Sequence, residues 1–509
     1  MAAWVKIIIY FTLCMQLRAY WKYIPISYDT TRLTSPVKQD GSIDYLAALN
    51  IKCSQGVTPE NNAVVVLLRA AGSDYINGPP DYKKEYMNML GVMSLPSPKH
   101  PFVYLYDYLS KHGFQWQDVD HIYGEVTRKP FTDSQYPQVG HWLDSQQDFI
   151  NAYLAASQMS HWYDPITSNT EQFQMLAGFP RLLSAFKFMT ESVGIDAMYD
   201  LGENDVDVAL DDALAIHRLT HLQARVSAMV VQLMIAGREE EFAADIDQQI
   251  IASGLLSTND AKRMADALGD LRPLPAFSES IDGEERYFAL DALENLARGR
   301  HYQVGFLQGF GPAQPQAAFS QFVGQLLPPQ LSSWDQISYL FDWCVFRVVP
   351  VHYVFLMIQD NHFYDDWMRI SQAKTYDQAL SEQKTLNPES RIMDSSFADD
   401  IVKTIAWRPY ISNRLIQEQF AYQTILPMVR TEYALAAWHT DHGDYPKVLT
   451  ALVPQYLSSV PIDPFDGQPL RYAPTANGYR LWSIGATKPG LTGWFSTGLQ
   501  FTMPPEKQD

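Results

Sequence analysis

The chain has 509 residues, and 38 Lys and Arg against 57 Asp and Glu give it a formal net charge of −19. Hydrophobic residues make up 47% of the sequence and aromatic residues 13%. A chain of this composition and length can bury cores in roughly three structural units, which excludes disorder for most of it. The negative surplus repels phosphate backbones, so nucleic acid is excluded as a partner.

The N-terminus reads MAAWVKIIIYFTLCMQLRAYWKY, in which Lys6 precedes a short apolar run from Ile7 to Met15. This run is closer in length to the core of a signal peptide than to the ~20 apolar residues that span a bilayer. A snorkelling lysine and interfacial aromatics would also allow a thin, tilted transmembrane helix. We predict that residues 1–23 are an uncleaved signal-anchor; a cleaved signal peptide and a buried helix are the alternatives.

Three cysteines are present, at Cys14, Cys53 and Cys344. Because Cys14 lies in the N-terminal apolar run, one disulfide is conceivable, between Cys53 and Cys344, and the sequence does not show whether they pair. Small buried thiols are the commoner outcome. No CxxC spacing occurs, which argues against structural zinc.

Two further apolar runs, Val226–Ala236 and Val345–Ile358, are too short or too interrupted to span a membrane and predict buried core helices. The segment 61–72 is a short apolar helix or strand, and periodicity does not decide between them. Residues 137–163 have apolar residues at helical spacing, which predicts a helix.

The clearest predicted helix follows residue 201, with Asn204 as its N-cap. Two leucines and two histidines share its apolar face: Leu210, Leu214, His217 and His221. Charged residues form its polar face: Asp207, Asp211, Arg218 and Arg225. We therefore predict an amphipathic helix.

His217 and His221 have the spacing of two metal ligands in HExxH enzymes. Arg218 stands where the general-base Glu would be, and no third ligand is evident nearby. A hydrogen-bonded role at a helix interface is therefore the favoured prediction for both histidines.

Neighbouring carboxylates point about 100° apart on a helix, so adjacent acidic residues do not form an acid/base couple. Four such pairs are predicted to lie on solvated faces: Asp211-Asp212, Glu284-Glu285, Asp365-Asp366 and Asp399-Asp400. The sequence has no GxSxG, GxGxxG or P-loop motif in a suitable context. We predict no catalytic, cofactor-binding or metal-binding residue, and no cofactor.

A cluster of aromatic residues between positions 116 and 163 could line a groove for a sugar or a peptide, although core packing is the favoured interpretation. Its members are Trp116, Tyr123, Phe131, Tyr136, Trp142, Trp162 and Tyr163.

The C-terminal part changes its period from helical to alternating. A helix ends at Gly443, a second short helix spans 447–456, and two strands, 470–473 and 479–484, flank the hairpin signal Asn477-Gly478. Asp463 and Asp466 are predicted to form a turn rather than to bind calcium.

The order of HGDYP, LVPQYL, VPIDPFDGQPLRY and NGYRLWSIG in 431–485 resembles the globular part of type II secretion major pseudopilins, in which a long helix packs on a small sheet. In place of the calcium-binding loop of pseudopilins, the chain has residues 486–490, including Lys488. Upstream segments such as NNAVVVLLRAAG and LGENDVDVALDDALAIHRLTHLQAR are similar to a group of large uncharacterised bacterial envelope proteins. That resemblance implies a family with no assigned activity.

We predict a mainly α fold, a multi-helix body with a small C-terminal pseudopilin-like α+β unit of one helix and a β-hairpin. The predicted domains follow in chain order: residues 1–23, the N-terminal signal region; 24–135, a mixed region; 136–430, a helical body with possible breaks near 271–280 and 327–333; 431–490, the pseudopilin-like unit; and 491–509, a tail.

The predicted function is that of a non-enzymatic scaffold or interaction protein at the extracytoplasmic face of the cell envelope, held to the membrane by its N-terminal segment, with envelope proteins as partners. The alternatives are an extracytoplasmic, hydrolase-like enzyme and an accessory subunit of a secretion system.

Overall fold

Helices make up most of the structure, as the sequence predicted. The computed structural model describes residues 24–298, 353–385 and 413–503, apart from 73–74, 77–79, 96, 169–173, 178, 181, 227–229, 477 and 488–498. Several predictions concern positions that lie wholly or largely outside the described residues: residues 1–23, Cys344, the break near 327–333, Asp399-Asp400 and residues 486–490.

The described part of the chain contains sixteen α-helices, which we number in chain order. They are α1 (Tyr45–Cys53), α2 (Ala63–Ala71), α3 (Pro80–Met89), α4 (Leu105–Lys111), α5 (Trp116–Val126), α6 (Pro137–Ala156), α7 (Gln174–Ala177), α8 (Leu183–Gly202), α9 (Val206–Ala224), α10 (Val230–Ala252), α11 (Thr258–Gly269), α12 (Ser278–Ser280), α13 (Arg286–Ala297), α14 (Tyr353–Ser371), α15 (Tyr376–Lys384) and α16 (Asn413–His442). A π-helical turn, Ile281–Glu285, joins α12 to α13.

Several helices begin where a polar side chain accepts a hydrogen bond from the first turn, which satisfies a backbone N–H that has no partner within the helix. These N-caps are Asp44, Asn62, Ser257 and Thr375. The segment 61–72, for which the sequence left helix and strand open, is therefore helical: Asn62 caps α2, and Gly72, at φ +100°, ends it.

The long helices pack around α9, which lies between α8 and α10. Helix α16 packs along α10 and α11, and α2 packs on α6. The buried apolar side chains of these helices form one continuous cluster. The apolar run 226–236 contributes Val230, Leu233 and Ala236 to it, which confirms the predicted core helix where the structure describes the run.

Two small antiparallel sheets complete the described structure. Strands β1 (Ile166–Thr167) and β2 (Phe179–Pro180) pair as a two-stranded ribbon. Near the C-terminus, β3 (Arg471–Pro474), β4 (Tyr479–Trp482) and β5 (Gln500–Met503) form a sheet in the order β3-β4-β5. The predicted hairpin is formed by β3 and β4, whereas β5 was not predicted from the sequence.

The connection between α16 and this sheet differs in part from the prediction. Gly443 has a φ of +76° and ends the helix as expected. The predicted short helix over 447–456 is wrong in extent, because only Leu449–Leu452 is helical and it forms a 3-10 turn.

The predicted membrane attachment is corrected. Within the part of the chain that the structure describes, no helix combines the length and the apolar character that a bilayer crossing requires. We therefore withdraw the transmembrane helix and the signal-anchor, and with them the membrane as a partner of the N-terminal segment.

Gly202, in the last turn of α8, allows the backbone of residue 131 to approach the helix. A Cβ atom at position 202 would lie 1.9 Å from the Phe131 carbonyl oxygen. The Phe131 N–H donates to the carbonyl of Met198 at 3.3 Å, and the Asp133 N–H donates to the Glu203 carboxylate at 3.0 Å. These bonds hold the 131–133 segment against the C-terminal end of α8.

Gly202→Ala should lower the free energy of unfolding by about 1–3 kcal/mol, because a backbone segment must move to admit the methyl group. Gly124→Ala, at an open position in α5, is the matched control and should be neutral or stabilising by up to about 1 kcal/mol. Urea unfolding midpoints measure both effects. Equal midpoints for the two variants would contradict the packing described here.

Candidate functional site

Helices α8 and α9 are joined by a tight turn in which Asn204 adopts the left-handed conformation, with a φ of +68°. The Asp205 N–H donates to the Asp200 carbonyl at 2.8 Å across this turn. Asn204 therefore ends α8 instead of capping α9, and Asp205 is the N-cap residue of α9. The predicted capping role of Asn204 is wrong. The turn brings the last two turns of α8 beside the first two turns of α9.

Three aspartates meet between these two helices. Asp196 and Asp200 are one turn apart on α8, and Asp212 faces them from α9. One carboxylate oxygen from each residue lies within 4.8 Å of the other two. Asp212 is fully buried and Asp196 is 4% exposed, whereas Asp200 is partly exposed. We call these residues the aspartate cluster.

Burial and mutual repulsion disfavour the charged forms of the aspartate cluster. Burial, followed by the charge of Asp200, raises the pKa of Asp196 to about 7. Burial, followed by the charge of Asp205, raises the pKa of Asp200 to about 7. The pKa of Asp212 is raised well above its usual range, mainly by burial and then by Asp196, Asp200 and Asp211. The cluster can therefore take up protons or a cation.

A second buried cluster forms around His217 on the opposite side of α9. Its Nδ1 lies 2.9 Å from Oε1 of Glu240, and its Nε2 lies 2.7 Å from Oδ2 of Asp247. Both carboxylates belong to α10, and all three side chains have no exposed surface. Since a carboxylate accepts hydrogen bonds, both ring nitrogens donate and the imidazole is protonated. We call His217, His221, Glu240 and Asp247 the histidine cluster.

The charges of the histidine cluster stabilise one another. Burial disfavours the imidazolium, but Glu240 and Asp247 outweigh it and raise the pKa of His217 to about 10. Burial would raise the pKa of Glu240, but its interactions with His217 and then with His221 hold that pKa well below its usual range. The cluster is thus a buried ion pair network.

Hydrogen bonds extend this network to the neighbouring segments. The Tyr433 hydroxyl, on α16, donates to Oδ1 of Asp247 at 2.6 Å. His221 donates from Nδ1 to the carbonyl of Arg272 at 2.7 Å, and its Nε2 lies 3.2 Å from Glu240. The predicted hydrogen-bonded interface role of both histidines is confirmed, and the interface joins α9, α10, α16 and the segment after α11.

A groove of about 220 Å³ opens between α4, α5 and α8. Its rim is aromatic: Tyr104 packs on Phe188 with 4.7 Å between ring centroids, and Tyr106 packs edge-on against Trp116 at 4.9 Å. Trp116 is 68% exposed. We call this feature the aromatic groove.

Polar groups line the same groove. Within it, the Lys187 ammonium lies 3.6 Å from Glu191, which also accepts a hydrogen bond from Tyr123. Asp120 is exposed beside them. Of the aromatic residues predicted as a possible groove, Tyr123 lines it and Trp116 stands at its rim, while most of the others are core residues: Phe131, Trp142, Trp162 and Tyr163.

The predicted solvated carboxylate pairs need correction at two positions. Asp211 is exposed and pairs with Arg263 at 2.7 Å, but Asp212 is buried, because α9 packs against α8 on that side. Glu284 is 3% exposed and its pKa is raised well above its usual value by burial and then by Glu285. Burial also raises the pKa of Glu285, to about 7.

Two other predictions for polar residues are in agreement with the structure. Asp463 and Asp466 accept hydrogen bonds from the N–H groups two residues ahead, at 3.0 and 3.1 Å, and both pair with Arg471. They are turn formers, as predicted. Cys53 has no disulfide partner among the described residues, which do not include Cys344, so whether the two pair stays open. The Sγ atom of Cys53 lies 3.8 Å from the Val226 carbonyl, and burial raises the pKa of the thiol to about 11.

The acidic partners in both clusters were not predicted from the sequence. Asp196 and Asp200 are spaced i,i+4, and Glu240 and Asp247 are spaced i,i+7, so each pair shares a helix face. This spacing was the available signal. The side chains of directly adjacent acidic residues point in different directions on a helix, so the adjacent pairs were not the relevant signal.

Comparison with protein-family models, with curated proteins and with solved structures found no match to the chain. The resemblance to pseudopilins and to envelope proteins therefore stays a prediction.

His217→Gln should lower the free energy of unfolding near neutral pH by about 3–5 kcal/mol, because it leaves two carboxylates buried without a positive partner. His141→Gln, at an exposed position on α6, is the matched control and should change it by less than about 0.5 kcal/mol. Chemical unfolding measures both. A His217 variant as stable as the control would contradict the charged network.

The contribution of His217 to the free energy of unfolding should decrease as pH rises. The folded pKa of His217, about 10, lies above its unfolded value near 6.5, so its contribution is complete below about pH 6.5 and is lost as pH rises through about 10. The wild-type protein should therefore lose more stability than His217→Gln between about pH 7 and 10. Parallel unfolding curves for the two proteins over this range would contradict this linkage.

Proposed function

We propose that the protein is a non-enzymatic interaction protein, and that its aromatic groove binds an arginine side chain of a partner protein. The groove itself is the observation that carries this proposal. Its volume of about 220 Å³ is below the range of small-molecule pockets but suits a single inserted side chain. Buried anchor side chains of this kind dominate the energy of many protein interfaces.

The charges and rings of the groove favour a guanidinium as the occupant. Asp120 offers an exposed carboxylate, while the second carboxylate, Glu191, already faces Lys187. A guanidinium stacks on aromatic faces and pairs with a carboxylate in one plane, and the rings of Tyr106 and Phe188 line the groove beside Asp120. The net charge of −19 would also speed the approach of a basic partner.

The histidine cluster supports a structural role over the alternative of a hydrolase-like enzyme. A catalytic base must reach a proton of the substrate. His217, Glu240 and Asp247 are fully buried, and His217 is hydrogen-bonded to both carboxylates. The displaced pKa values of His217 and Glu240 follow from this mutual pairing, which stabilises the packing of α9 on α10.

Two finer proposals concern the ends of the chain. We propose that residues 431–485 form a pseudopilin-like unit, which the packing of α16 beside an antiparallel sheet supports through the hydrogen bond from Tyr479 to Glu432 at 2.9 Å. Failure of the full chain to cross-link to any secretion-system subunit would count against it.

We also propose export of the chain to the cell envelope; full-length protein in a cytosolic extract would argue against export.

Binding of an arginine side chain can be tested with N-acetyl-arginine amide and protein labelled with 5-fluorotryptophan. The fluorine resonance of Trp116, assigned with Trp116→Phe, should shift on titration, because Trp116 packs against Tyr106 at the rim. Asp120→Asn should weaken binding roughly 3–5-fold. Asp118→Asn, an exposed change on the same helix, should leave it unchanged.

Two results would contradict the proposal. One is the absence of any shift of the Trp116 resonance at saturating probe. The other is an equal response in Asp120→Asn and Asp118→Asn, which would mean that the probe senses only the overall negative charge. N-acetyl-lysine amide should bind more weakly than the arginine probe, because an ammonium lacks the planar stacking surface.

A further inference from the structure

The aspartate cluster contains one fully buried carboxylate, that of Asp212. Neither oxygen of Asp212 has a hydrogen-bond partner in the part of the chain that the structure describes, although the side chain is completely buried. An ionised carboxylate in this position costs several kcal/mol unless a proton or a positive charge accompanies it. Asp212 is directed at Asp196 and Asp200, so whatever satisfies it lies among the three carboxylates.

The electrostatic surroundings favour a cation. Among the described residues, the charged groups that act on Asp196, Asp200 and Asp212 are other carboxylates, and these include Asp205 and Asp211. The neutral amide of Gln147 also interacts with Asp196. Three converging carboxylates with no basic partner among the described residues form a site of strongly negative potential.

The oxygen ligands and their spacing are compatible with calcium. Calcium takes oxygen ligands at about 2.3–2.6 Å, so two oxygens on opposite sides of one ion are separated by about 4.6–5.2 Å. The three carboxylate oxygens lie within 4.8 Å of one another, so one calcium ion between them can contact all three. Magnesium demands near-ideal octahedral geometry and usually keeps several waters, so a site built mainly from protein carboxylates favours calcium.

Helix geometry and exposure provide a rigid site with a route to solvent. Asp196 and Asp200 share one face of α8, and the turn at Asn204 fixes α9 beside it. Asp200 is partly exposed. The nearby Tyr199 experiences the charges of Glu203, Asp133 and Asp144 in addition to Asp200. This acidic rim would concentrate cations at the entrance.

We propose that Asp196, Asp200 and Asp212 bind one calcium ion between α8 and α9. The three carboxylates supply up to six oxygens, and water or the Gln147 amide completes the six to eight that calcium takes. The repulsion among the three carboxylates is replaced by attraction between each carboxylate and the ion, which stabilises the packing of α8 against α9. This site is separate from the aromatic groove, and the proposal does not depend on the function proposed above.

The test compares thermal unfolding of the full chain, freed of metal by a chelator, before and after addition of about 5 mM CaCl₂. The wild-type protein should unfold about 2 °C or more higher with calcium. Asp212→Asn should abolish this shift. It should also raise the unfolding temperature of the metal-free protein, because it removes one of three repelling carboxylates, so loss of folding would not obscure the result.

Asp211→Asn is the matched control, because Asp211 neighbours the site on α9 but is exposed and pairs with Arg263. It should keep the full calcium shift. Calorimetric titration should give one calcium ion per wild-type or Asp211→Asn chain at the site and none for Asp212→Asn.

Three results would overturn the proposal. Absence of a calcium shift in the wild-type protein would mean that protons alone satisfy the cluster. An equal shift in Asp212→Asn and Asp211→Asn would mean that calcium binds elsewhere. A shift with MgCl₂ and none with CaCl₂ would overturn the assignment of calcium.

Discussion

A positive charge on His217 holds the interior of this protein together. Two carboxylates of α10, on Glu240 and Asp247, face the imidazole from both sides, and none of the three is exposed. Each charge would be costly alone, and removal of one partner from such a group leaves the others uncompensated. Because the partners must meet within hydrogen-bonding distance, the network fixes the register of α9 against α10 more strictly than apolar contacts would.

The rest of the long-helix assembly follows from that register. The Tyr433 hydroxyl, on α16, donates a hydrogen bond to Asp247. His221 donates to the backbone carbonyl of Arg272, in the segment that follows α11. Helix α9 therefore has buried polar partners toward α10 and α16, and it carries Asp212 toward α8. One helix thus connects the histidine cluster with the aspartate cluster, although the two clusters lie on different faces of it.

The sequence predicted those features that depend on local chemistry. Helical periodicity revealed α6 and α9, the shared face of His217 and His221 was read correctly, and Asp463 and Asp466 form the expected turn. The segment 61–72 could not be assigned, because a short apolar run suits a buried helix and a strand equally well. Here the cap at Asn62 favours the helix.

The features that the sequence did not predict depend on contacts between distant positions. Asp212 and Glu284 belong to acidic pairs, which usually lie on solvated faces, and only the packing of neighbouring helices places them inside. Asp196 is 16 positions from Asp212, and Glu240 is 23 positions from His217, so neither cluster is visible as a motif. Strand β5 was missed because its partner, β4, is separated from it by a long connection.

The charge on His217 can be observed directly by nitrogen NMR of protein labelled with ¹⁵N-histidine, with the resonances of this ring assigned by their loss in His217→Gln. At about pH 8, where an ordinary histidine is neutral, both ring nitrogens of His217 should carry protons. A neutral ring at that pH, with one nitrogen unprotonated, would contradict the buried charge on which this account of the fold depends.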